Sequence, residues 1–168
     1  MNFREHLFVG WCFSFFAIII LNMLDYNVFD ARIIPYIIIG VSVFSELPDI
    51  DHSRSKASRL LSVGLLLLTV YSLFLYYQSG NELDLFESMV WVVIFIIHRN
   101  YALSSKKHRR FPHTFTFGVL ASSAVFFISG SAIVSVLCFV SFFSHLVADT
   151  HVTQALKKDK RIFKKILH

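Results

Sequence analysis

Charge is what this chain has least of. Only 16% of its 168 residues are Asp, Glu, Lys or Arg, against roughly 25% in a typical soluble domain. Cysteine is scarce as well. Cys12 and Cys138 both lie inside apolar runs, so neither a disulfide framework nor a Cys-x-x-Cys metal site can be built, and both read as small core hydrophobes. No internal repeat and no low-complexity linker breaks the chain, whose length suits one domain. The apolar runs also lack a polar face. A soluble amphipathic helix shows a polar stripe every three or four residues, and these runs show none. A soluble helical protein made from them would have too few polar residues to cover its surface.

What is there is apolar length. Hydrophobic residues make up 55% of the chain, and the mean hydropathy is +0.62. The runs predict an all-α, polytopic membrane helix bundle with about six transmembrane helices, at residues 7–24, 33–47, 60–77, 85–97, 111–128 and 132–148. Pro35 is tolerated in the first turn of the second span. No small-residue cleavage site follows the first run, so it reads as a retained helix and not a signal peptide. Residues 1–153 form the membrane-embedded domain, and 154–168 a basic cytoplasmic tail whose Lys157–Lys165 run reads as solvated and facing anionic lipid.

Six spans put residues 1–6, 46–59, 98–112 and 149–168 on one side, with 25–32, 78–84 and 129–131 on the other. All but Arg32 of the 16 Lys and Arg residues then fall on the first side. Basic loops stay in the cytoplasm, so both termini and that face are expected there, in a multi-pass protein of the plasma membrane. The far side carries Asp25, Asp30, Glu82 and Asp84.

The same alternation gathers three distant motifs on the cytoplasmic face. They are Glu46-Leu47-Pro48-Asp49-Ile50-Asp51-His52, His108-Arg109-Arg110-Phe111-Pro112-His113-Thr114, and Ser144-His145-Leu146-Val147-Ala148-Asp149; His6 joins them from the first helix. The second span rises about 22 Å at 1.5 Å per residue, against a bilayer core of about 30 Å. Asp49 and Asp51 are therefore expected at headgroup level. His145 and Asp149 stand at i and i+4, on one helix face.

Imidazole with carboxylate is a ligand set for zinc, manganese or iron; oxygen alone would favour magnesium or calcium. His6, Asp49, Asp51, His52, His113, His145 and Asp149 are the candidate ligands, enough for one or two ions. A bound divalent ion brings the pKa of a water molecule to about 7. Arg109 and Arg110 flank the site as clamps for an anionic oxygen. Taken singly, a Pro-Asp-x-Asp-His turn is often only a cap and loop, and a His-x-x-x-Asp pair is more often an ion pair. Convergence on one face is what favours metal. His98 and His151 read as interfacial or supporting residues.

The combination resembles the YdjM-like family, described as LexA-binding, inner-membrane-associated, metal-dependent hydrolases. Its pattern is a His followed by a Gly, a Leu-Pro-Asp-x-Asp-His block, a His-Arg-Gly-x-Thr-His-Ser block and a Ser-His-x-x-x-Asp-x-x-Thr block. Here these correspond to His6 with Gly10, Leu47 to His52, His108 with Arg109 and His113, and Ser144, His145, Asp149 and Thr153. Arg110, Pro112 and Thr114 depart from the third block. The family's wider resemblance to zinc-dependent phospholipase C implies phosphoester hydrolysis. No residue points to LexA, and no nucleic-acid partner is expected.

The expected function is hydrolysis of a lipid or lipid-linked phosphoester, with Asp51, Arg109 and His108 as catalytic residues and membrane lipids as partners. Two other classes compete. A closed, fully engaged centre would mark a structural metal clamp. A proton-coupled transporter would need polar residues through the spans, whose middles show only Ser, Thr, Asn22 and Cys.

Overall fold

The computed structural model describes residues 3–50, 55–104, 112–149, 152, 154–157 and 159–160, and these are helical with no strand among them. The helices are α1 (Phe3–Met23), α2 (Ile34–Phe44), α3 (Lys56–Ser79), α4 (Glu82–Ser104), α5 (Phe115–Ser129) and α6 (Ala132–Ala148), with a 3₁₀ turn at Leu47–Asp49. By length and composition α1 and α3 are able to cross a membrane, while α2, α5 and α6 are shorter apolar helices.

Local chemistry sets the boundaries. The expected second span runs to Leu47, but α2 stops at Phe44. Continuing it would drive the Pro48 ring into the Phe44 carbonyl, and the chain tightens into the 3₁₀ turn instead. Ser55, Thr114 and Ser131 cap α3, α5 and α6, each side chain accepting from the backbone N–H three residues on. Thr114 thus starts the fifth helix at Phe115, later than the expected residue 111. Gly80 and Gly130 end α3 and α5 in the left-handed conformation, where a side chain would be strained.

Packing runs through small residues. α6 is central and touches α1, α2 and α5. Its inward face buries Val134, Leu137, Cys138, Phe142 and Leu146, with Ser141 and Ser144 among them. α1 buries only His6, Gly10 and Ser14, a stripe at i, i+4 and i+8. Trp11, Ala17, Ile18 and Leu21 of α1 pack against the core while half-buried, and Phe8 and Phe16 face outward. A Cβ on Gly10 would lie 2.6 Å from the Ser45 Cβ, and one on Gly118 would lie 2.4 Å from the Phe142 ring. Such close approach through Gly and Ser is how helices associate where lipid removes the hydrophobic drive. Ser141 Oγ donates to the Val41 carbonyl at 2.7 Å, joining α6 to α2.

The start of the expected solvated tail instead returns to the bundle. Ala155 is fully buried. The Asp159 carboxylate accepts from Phe115 N at 2.9 Å, Thr116 N at 3.3 Å and Thr116 Oγ1 at 2.6 Å. A negative group belongs at a helix N-terminus, which is why this acid docks between its basic neighbours.

Candidate metal centre

Four segments meet at one end of the bundle. α1 contributes His6 near its start. The chain leaving α2 contributes Ser45, Glu46 and Asp49. The turn before α5 contributes His113, and α6 contributes His145 with Asp149 as its C-terminal cap. The Gly10–Ser45 approach brings the first two together, and the Ser141–Val41 bond holds the third in register.

His145 is fully buried, and its Nδ1 donates to the Ser45 carbonyl at 2.7 Å. That bond fixes the tautomer, because a carbonyl can only accept. Nε2 has no hydrogen-bond partner. It faces Asp149 Oδ2 at 3.4 Å and Asp49 Oδ1 at 3.9 Å, both beyond the length of about 2.7–3.2 Å expected if an N–H bonded them. His6 stacks on His145 with ring centroids 4.0 Å apart and places Nε2 3.2 Å from Asp149 Oδ1. His113 Nε2 lies 3.7 Å from Asp49 Oδ1.

These separations suit a cation. Zinc bonds of about 2.0–2.1 Å in a tetrahedron put neighbouring ligand atoms roughly 3.3 Å apart. His6, Asp49 and His145 form a group whose ligand atoms lie within 4.8 Å of one another and that could hold a metal ion. Asp149 pairs with two of the three. The buried His145 Nε2, without a hydrogen-bond partner beside carboxylate oxygens, is a position that a cation would suit.

Of the expected site residues, the fold brings His6, Asp49, His113, His145 and Asp149 together. Asp51, His52, His108, Arg109 and Arg110 lie outside the described residues, as does His151. His98 sits between α4 and α3, where its Nε2 meets Ser58 Oγ at 3.1 Å and the Ser58 carbonyl at 3.2 Å.

Glu46 is the addition. It lies in the turn after α2, it is 2% exposed, and its Oε1 has no hydrogen-bond partner. Burial pushes its carboxyl up to about 8, with Asp49 and then Asp149 adding to the rise. Its signal in the sequence was its place immediately before Leu-Pro-Asp.

An all-helical chain with apolar helices and an inward His/Asp cluster defines a class of helical membrane protein with a candidate metal centre. Residues 1–157 match the family described as YdjM inner membrane protein, and the chain belongs to that family. No curated protein and no solved structure matches it.

Proposed function

We infer that the chain is a six-span protein of the inner membrane whose cytoplasmic face carries a divalent metal centre that hydrolyses phosphoesters of a lipid or lipid-linked molecule. The observation that carries this reading is His145 Nε2, a buried nitrogen with no hydrogen-bond partner that faces two carboxylates. Zinc suits the donor set first, and manganese or iron next. His6, Asp49 and His145 would hold one ion, with Asp149 beside two of them. Asp51 and His52, next along the same motif, are the ligands proposed for a second ion. His108 and Arg109 are assigned proton transfer and the binding of a phosphoryl oxygen.

A divalent ion supplies two things there: a water made acidic, to a pKa of about 7, and neutralisation of charge on the reacting phosphoryl group. The chain supplies orientation. Ser45 fixes the His145 ring, and a ligand so oriented from behind typically binds about 10–100-fold better. Asp49 supplies access, because its side chain is 46% exposed while that of His145 is 0%. That open edge favours hydrolysis over a clamp. The near-complete burial of His6 and His145 favours the second reading, a structural metal that ties α1 to α6.

The test is metal analysis of detergent-purified protein beside His145→Ala and Asp51→Asn, followed by turnover of phosphoester substrates with and without chelator. Stoichiometric metal lost in both variants, with chelator-sensitive turnover, supports the hydrolase. Stoichiometric metal without turnover turns the reading to the clamp. Full metal retention in both variants overturns the centre.

A further inference from the structure

The opposite end of the bundle holds a cavity of about 880 Å³. Its walls come from the α1–α2 connection, the α3–α4 turn and the α5–α6 turn. α4 packs along α3 but meets α5 at few points, and residues of both α4 and α5 line the cavity.

Its polar wall carries charge of both signs: Asp30, Arg32 and Glu87. Each is held from behind. Arg32 pairs with buried Asp84, its N–H donates to Asp30 Oδ1 at 2.8 Å, and its carbonyl accepts from the Tyr71 hydroxyl at 3.0 Å. The Arg32 side chain is nevertheless 52% exposed. Glu87 Oε2 accepts from the Tyr36 hydroxyl at 2.5 Å and lies 3.5 Å from Ser72 Oγ. The other wall is apolar, and its Phe86 and Phe127 are exposed.

A volume in the range of small-molecule sites, a prepositioned cation and two carboxylates beside it, and an aromatic exit toward the hydrocarbon describe a lipid headgroup with both charges. We propose that this cavity binds a zwitterionic phospholipid with a primary-amine headgroup. Arg32 takes the phosphate, Asp30 and Glu87 take the ammonium, and the acyl chains leave over Phe86 and Phe127. An anionic glycerol headgroup offers the two carboxylates only neutral hydroxyl donors and no positive charge. A trimethylammonium headgroup has no N–H to donate. The assignment does not depend on the metal centre; the six-span reading only sets which leaflet supplies the lipid.

The test is native mass spectrometry of the detergent-purified protein after incubation with phosphatidylethanolamine, phosphatidylglycerol or phosphatidylcholine of identical chains. The amine lipid is expected to be retained about tenfold over the other two. Glu87→Gln and Asp30→Asn should each cut that preference at least several-fold, with bound metal unchanged. Asp30 is exposed in a connection, so its variant folds even if the Glu87 variant does not. Equal retention of the three lipids, a preference for phosphatidylglycerol, or an unchanged preference in Asp30→Asn would overturn the proposal.

Discussion

Both ends of the bundle bury carboxylates, but those carboxylates meet different partners. At the Arg32 end the buried and half-buried acids meet donors: Asp84 has Arg32 and Ser79, and Glu87 has Tyr36 and Ser72. At the His145 end Asp49 and Asp149 face a buried imidazole nitrogen, His145 Nε2, that makes no hydrogen bond, while Asp149 lies 3.2 Å from His6 Nε2. The first arrangement gives those acids donors from the chain itself. The second leaves a buried imidazole nitrogen unpartnered beside carboxylates, where a cation would fit. Burial and charge alone would have ranked the two ends alike; the direction of each hydrogen bond separates them.

The comparison breaks most sharply at His145. His145→Ala is expected to remove bound metal by at least about tenfold, while Arg32→Ala leaves metal content untouched; equal metal loss in both would erase the distinction between the ends. Arg32→Ala should instead act on stability. Asp84, 1% exposed, would lose its charged partner at a cost of about 1–3 kcal/mol, read as a lower unfolding temperature in detergent. Gly10→Ala is expected to do both in smaller measure. Its Cβ would press α1 off Ser45, costing about 1–3 kcal/mol and shifting His6, so metal affinity and unfolding temperature should fall together. A fall in stability alone would free His6 from the centre.

The smallest effect concerns Glu46. Its carboxyl is raised in the folded protein from 4.5 to about 8, so the folded state binds the extra proton between those values. Stability from this group is present below about pH 4.5 and is lost as pH rises through about 8. Chelator-treated wild type should unfold at progressively lower temperature across that window, and Glu46→Gln should flatten the trend. An unchanged slope in the variant would place the titrating group elsewhere.

The sequence predicts six apolar segments, and among the described residues an α-helix falls on each of them, with α6 at the expected residues. Its errors have local causes. Pro48 ends α2 early, because a ring clash outweighs an apolar run. α4 passes through His98 and Arg99, read as loop for their polarity, because Ser58 on α3 offers His98 a partner. The side chains that gather at the His145 end were visible because spacing and side alternation carry residue identity. The Ser45 carbonyl was not, because a backbone acceptor leaves no trace in residue type. Glu87 was passed over for a similar reason. A lone acid near the end of an apolar run gains meaning only when Tyr36, far away in sequence, is seen to reach it.

The stripe of His6, Gly10 and Ser14 also bears on the order of synthesis. His6 belongs to α1, and His145 and Asp149 belong to α6 and its C-terminal cap, far later in the chain. The narrow face by which α1 adheres packs against Ser45 after α2 and against Ser141 and the His145 ring of α6, so its grip is complete only when α6 is in place. A chain that lacks α6 cannot bring His6, Asp49 and His145 together, so the group that could hold a metal ion forms only once α6 is made.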